Sequence, residues 1–220
     1  MRQIPLPIGP APLKTFDSFV AGPNEAALTH LRALFLQAGA PVYLWGASGS
    51  GKTHLMQALT HRVQAGWFDS ATPAPWSFND DCSLIVLDGC EAFDDAQQQA
   101  AFALFIEAAS HGTQVAASGN VPPVDLPLRD DLRTRLGWGH VFAIEPLGES
   151  DARTVLRCEA DRRGIFLSDD VMSFLMTRFS RDLTHLMALL DRLDEFALAE
   201  HRAVTVPLLR KLFEEEGATL

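Results

Sequence analysis

Residues 41–63 read PVYLWGASGSGKTHLMQALTHRV, and three kinds of pattern follow one another within them. Pro41–Trp45 is a short apolar run of the kind that forms a buried strand. Leu55, Met56, Leu59 and Val63 then recur on one face at helical spacing, which predicts a helix over HLMQALTHRVQAG. Between them Gly46, Ala47, Ser48, Gly49, Ser50, Gly51, Lys52 and Thr53 satisfy G-x-x-x-x-G-K-[ST] at every fixed position. A strand before and a helix after are the context that this motif needs to be meaningful. Its glycines let successive backbone N–H groups wrap a polyphosphate without Cβ clashes, and the helix N-terminus adds its dipole. Lys52 is assigned to the outer phosphates and the Thr53 hydroxyl to Mg²⁺, with His54 counted beside them in the same site.

Outward from this loop, strand and helix patterns alternate. TFDSFVAGPNEAALTHLRALFLQAGA carries a turn and cap at Gly22-Pro23-Asn24, a helix with Leu28, Leu31, Leu34 and Phe35 on one face, and a stop at Gly39. WFDS is expected as a stunted second strand, and LIVLD (Leu84–Asp88) as a strand buried on both faces of a parallel sheet. A helix over DDAQQQAAFALFIEAAS, a strand over TQVAASGN, a short helix over LPLRDDLRTRLG and a last strand over VFAIE complete the pattern. From Leu147 onward only helices are predicted, with Ser150, Ser168, Ser180 and Thr205 as N-caps and Gly164 and Gly217 as terminating glycines. The expected fold is α/β: a phosphate-loop parallel sheet domain over 13–146, then a small all-helical domain over 147–220. Residues 1–12 stand apart as an extended peptide.

An acidic residue ending a buried strand is the usual second metal-side element, and Asp88, 36 residues after Lys52, fits it. A second carboxylate normally follows to polarise the attacking water; here that position is Gly89, and Glu91 lies off the strand end. Asn120 ends the next strand and has two readings, a γ-phosphate sensor or a turn residue before Val121-Pro122-Pro123. Arg133 and Arg135 precede the last strand. Each is either a surface charge or a cation presented to a neighbouring subunit's γ-phosphate.

Composition narrows the partners. The net charge of −10 argues against a chain whose main task is gripping duplex DNA, and for protein or nucleotide partners. Cys82, Cys90 and Cys158 show no C-x-x-C spacing, which suits a reduced, cytoplasmic protein with buried thiols. No apolar run approaches the ~20 residues of a membrane span. MRQIPLPIGP holds three prolines, so it is neither helix nor signal peptide, yet Ile4, Leu6 and Ile8 are apolar.

Taken together, the chain resembles the DnaA-related AAA+ family. TFDSFVAGPNEAAL resembles the segment flanking that family's adenine pocket, GASGSGKT and LIVLD its Walker elements, LRTRLGWGHVFAIEPL its arginine-finger box, and FLSDDVMSFLMTRFSRDLTHLMALLDRL its helical lid. The resemblance places the finger on Arg135, acting in trans, and implies ADP or ATP with Mg²⁺ as ligands, held by residues 46–54, Asp88 and Asn120. No helix-turn-helix is expected after the lid, and Gln3-Ile4-Pro5-Leu6-Pro7-Ile8 resembles the sliding-clamp-binding peptide of the family's regulatory branch. That branch implies a cytoplasmic, nucleoid-associated adaptor. With the DNA-loaded clamp it stimulates ATP hydrolysis by the DnaA initiator and prevents re-initiation, without sequence-specific DNA binding of its own. Gly89 and Thr184 (where the lid's sensing arginine is expected) imply weak hydrolysis in cis, with Arg181 a turn away. The competing expectation is an autonomous AAA+ ATPase of the clamp-loader or helicase-loader type. Self-association is left open by the sequence.

Overall fold

The computed structural model describes residues 13–34, 39–178, 183–200 and 204–215. They fall into two compact units, Leu13–Pro146 and the residues from Leu147 onward. The first contains five strands: β1 (Val42–Trp45), β2 (Ala65–Asp69), β3 (Leu84–Asp88), β4 (Gln114–Gly119) and β5 (His140–Ala143). All pair in parallel, in the order β2-β3-β4-β1-β5. Helices α1 (Glu25–Ala33), α2 (Lys52–Thr60), α3 (Asp95–His111) and α4 (Asp130–Gly137) connect them.

Period-two alternation decides which side chain joins which core. Val42, Leu44, Leu84, Val86 and Ala116 face one layer with Leu31 of α1 and Leu55, Met56 and Leu59 of α2. Tyr43, Ile85, Leu87, Val115 and Ala117 face the other, with Leu104 and Phe105 of α3 and Leu132 and Leu136 of α4. Both faces of β3 and β4 are therefore covered, and LIVLD is apolar throughout because it has no solvent face. Asp94 caps α3, accepting from the Gln97 N–H at 2.8 Å while the Gln97 side chain accepts from the Asp94 N–H at 3.1 Å.

The second strand corrects the sequence expectation. It is not stunted: β2 pairs over five positions, from Ala65 opposite Leu84 to Asp69 opposite Asp88. The helix before it stops at Thr60 rather than running to Gly66. The ring of Phe68 explains the glycine, since a Cβ at Gly66 would stand 3.0 Å from it. Trp67 and Phe68 pack against opposite cores, so this edge strand is anchored on both sides.

The second unit comprises α5 (Glu149–Arg162), α6 (Asp169–Arg178), α7 (Leu183–Glu200) and α8 (Val206–Glu215). Leu156, Val171, Leu175, Leu190, Leu193 and Leu209 are at its core. Ser168 and Thr205 cap as expected, each hydroxyl accepting from a backbone N–H at 3.4 Å. Ser150 does not: the helix begins at Glu149, two residues earlier than a cap at Ser150 requires, with Gly148 at the N-cap position. Gly164 ends α5 at φ +72°, a conformation that costs a residue with a Cβ. Arg163 then ties the unit together, bonding Glu159 at 2.7 Å and Asp191 of α7. Cys82 and Cys90 are buried, but Cys158 is exposed, against expectation, because it faces outward from α5. Phe35, Ser180, Arg181 and Gly217 lie outside the described residues.

One half-buried histidine makes stability depend on pH. His30 of α1 packs 4.3 Å from the His140 ring and 5.0 Å from Phe142, and its Nε2 is buried without a hydrogen-bond partner. Burial, then the neighbouring His140, hold its pKa below the ordinary histidine value. The native state therefore binds fewer protons here than the unfolded chain, and stability falls as pH drops below about 6.5. Thermal scans between pH 7.5 and 5.5 are expected to show a shallower decline in Tm for His30→Phe than for wild type.

Candidate nucleotide-binding site

The loop of residues 46–51 leaves the carboxyl end of β1, between β4 and β5, and feeds α2. Gly46, Gly49 and Gly51 adopt φ of +153°, +76° and +102°, which side chains with a Cβ rarely reach. A Cβ at Gly46 would stand 2.2 Å from the Ile144 carbonyl oxygen, and one at Gly51 2.7 Å from the Phe19 ring. These two glycines are required by space as well as by conformation.

Around the loop the strand ends converge. Thr53 donates to one carboxylate oxygen of Asp88 at 2.8 Å, and Ser118 donates to the other. The Gly89 N–H donates to the Ser118 hydroxyl at 3.0 Å, and the Gly46 N–H to the Gly119 carbonyl at 3.2 Å. Ser118 is thus a site residue that the sequence reading missed; its place beside β3 depends on strand order, which the sequence does not print. Lys52 Nζ donates to the carbonyls of Gly46 and Ala47 at 2.7 and 2.9 Å. Burial lowers the pKa of this ammonium, while Glu91 and then Asp88 push it back up.

These residues fit a nucleoside polyphosphate with a divalent cation. The loop is a cradle that a Cβ would fill, and the Ser50 hydroxyl inside it is buried without a partner, as a donor awaiting an acceptor oxygen is. The Thr53 hydroxyl and Asp88 carboxylate sit side by side where Mg²⁺ would join phosphate oxygens. Among the described residues no group of three or more His, Cys, Asp or Glu could hold a metal ion unaided.

The remaining predicted residues are placed variously. His54 turns its Nε2 to the Thr15 carbonyl at 2.9 Å and packs its ring edge-on to Phe19 at 5.4 Å, so it fastens the segment before α1 across the start of α2. Asn120 follows β4, exposed, with its backbone N–H donating to Glu91 at 3.2 Å. Arg133 is paired with Asp130 on α4. Arg135 is half-buried and makes a different contact, its guanidinium 5.3 Å over the ring of Phe102 on α3. One turn on, Trp138 is 75% exposed. Gln3, Ile4, Leu6, Pro7 and Ile8 lie outside the described residues, and nothing is described of the Thr184 side chain. No described helix is long and apolar enough to cross a membrane.

Known proteins share this fold. The family described as "Hda, lid domain" matches residues 149–213, and that described as "Bacterial DnaA ATPase domain" matches residues 11–70. Domain III of the Thermotoga maritima replication initiation protein DnaA superposes with a TM-score of 0.79 at 19% identity, covering 93% of this chain and 97% of that one. AMPPCP-bound DnaA from Aquifex aeolicus gives 0.71 at 18% identity, over 94% of this chain and 71% of that one. A DNA replication initiation factor gives 0.69 at 16% identity; the match covers 81% of this chain and spans 63% of that protein's length. At these identities the superpositions speak for the fold, and the two family matches speak for the segments they cover. Residues 11–70 thus match the DnaA ATPase domain family and residues 149–213 the Hda lid family, on a fold that solved DnaA structures share.

Proposed function

We propose that the chain is a nucleotide-bound regulatory adaptor that switches off a DnaA-type initiator. In this reading the loop of residues 46–51, with Lys52, Thr53 and Asp88, holds ADP or ATP with Mg²⁺, and Asn120 stands at the γ-phosphate end. Gln3–Ile8 docks the protein on the DNA-loaded sliding clamp. Arg135 is then carried to the γ-phosphate of the initiator's ATP, and hydrolysis leaves the initiator inactive, so replication does not start again.

The observation that carries this reading is the Hda-type lid on a DnaA-type ATPase segment. The surface around Arg135 supports it. Arg135 lies on α4 with an exposed tryptophan one turn away, and aromatic residues beside arginine are the commonest anchors of protein interfaces. An arginine inserted in trans needs no catalytic acid in its own chain, so Gly89 after Asp88 is no obstacle to this role. The N-terminal peptide suits docking because proline stiffening lowers the entropy lost on binding, while Leu6 and Ile8 fill an apolar pocket.

A pull-down on the immobilised sliding clamp tests the tether. The wild-type chain is expected to be retained, and the double variant Gln3→Ala, Leu6→Ala to be lost while still binding nucleotide. Equal retention of both would place the clamp contact elsewhere.

A further inference from the structure

The acidic charge of the chain is unevenly spread. Residues 1–68 hold five lysines and arginines (Arg2, Lys14, Arg32, Lys52 and Arg62) against two carboxylates, Asp17 and Glu25, in a chain that is −10 overall. Arg32 and Arg62, which the nucleotide site does not use, meet just past the carboxyl end of α2, the end far from the phosphate loop. With His61, Thr15, Phe16 and Asp17 they line a cavity of about 400 Å³. The Arg62 guanidinium lies 5.9 Å over the buried Phe16 ring and donates to the Arg32 carbonyl at 2.7 Å. Arg32 donates to the Phe16 carbonyl at 3.3 Å. Each guanidinium is thus oriented by a backbone carbonyl and, with five N–H groups, keeps donors for an outside oxyanion. Asp17 is the one carboxylate among the lining residues. It reaches Arg32 at 3.3 Å with a side chain 96% exposed, and so wet a pair is displaced at small cost.

We propose that this pocket grips a phosphodiester of the duplex that a loaded sliding clamp carries, as a second contact beside the tether. The pocket is defined without the clamp; its use there rests on the docking reading of Gln3–Ile8. Seven residues lead from Ile8 to Thr15, at most about 25 Å of chain, so a docked peptide keeps the pocket near the DNA. Two guanidinium forks match phosphate oxygens. No base can stack on Phe16, because Arg62 already covers its ring, so the contact reads backbone and not sequence. Arg32, His61 and Arg62 are exposed at the mouth, which suits a polymer passing by. The residues after 68 carry the acidic excess that DNA repels, so the same contact orients the protein on its clamp.

Dissociation of the full chain from immobilised clamp, bare or loaded on DNA, separates the two contacts. Wild type is expected to leave loaded clamp about tenfold more slowly than bare clamp. The double variant Arg32→Gln, Arg62→Gln should leave both at the bare-clamp rate, with nucleotide binding unchanged. Asp17→Asn removes only the competing carboxylate and should leave loaded clamp about threefold more slowly than wild type, a gain that a structural role for these arginines does not produce. Without clamp, anisotropy titrations of a labelled duplex of arbitrary sequence at low salt read the pocket directly. There R32Q/R62Q should flatten the log–log salt slope by about 1–2. The inference is overturned if wild type leaves loaded and bare clamp at one rate, or if the double variant keeps both the rate difference and the salt slope. It is also overturned if the double variant differs from wild type only in titrations with polyglutamate or inorganic phosphate, which would assign the pocket to an acidic protein or a free anion. Failure of bare clamp to retain wild type at all would defeat the docking reading alone, and the duplex titration then decides this inference.

Discussion

Arg135→Ala is expected to abolish the stimulation of initiator ATP hydrolysis while leaving clamp retention and the chain's own nucleotide binding unchanged. A guanidinium inserted beside a γ-phosphate offsets charge that builds up in the transition state, a contribution of about 10³-fold or more in rate. The separation of functions follows from where Arg135 sits. Its contact is with Phe102 on α3, whereas Lys52, Thr53, Asp88 and Ser118 bond to one another and to the loop. Removing it takes away one half-exposed cation–π contact, about 1 kcal/mol, so folding should survive. Hydrolysis assays of initiator-bound ATP with clamp, run beside a clamp pull-down and a nucleotide titration, read all three properties. Full stimulation by R135A would remove the finger from this residue.

The second large effect is at Lys52. Its ammonium bridges the Gly46 and Ala47 carbonyls, half-buried, with two carboxylates acting on it. An ammonium in that position supplies charge-assisted hydrogen bonds of about 1.5–3 kcal/mol each to phosphate oxygens, so Lys52→Ala is expected to weaken nucleotide affinity by about 10²-fold or more. Lys52→Arg should recover little, because a planar fork cannot replace a point charge inside a loop this tight. Equilibrium titration with fluorescent ADP measures the loss. Affinity within a few-fold of wild type would mean that residues 46–53 are not the phosphate cradle.

Much of this was legible in the sequence because local rules governed it. GASGSGKT announces its loop through glycines that no other residue could replace at those angles, and LIVLD announces a strand with no wet face. What escaped was set by contacts distant along the chain. Gly66 reads as the end of a helix, yet it begins a strand because β3 offers backbone partners and the Phe68 ring needs the room. Ser150 has the chemistry of a cap, but the chain turns into α5 at Gly148. Ser118 carries no motif and becomes a ligand of Asp88 only because β4 lies next to β3. Glu91 lies off the strand end as counting along the strand suggests, and the left-handed residue at Gly89 turns its carboxylate to the Asn120 N–H.

The most direct test of the account is the rate at which initiator-bound, γ-labelled ATP is hydrolysed in the presence of DNA-loaded clamp, with and without this protein. The account predicts a large acceleration when protein and clamp are both present, and none when either is omitted. A rate that stays basal with all components together would contradict it.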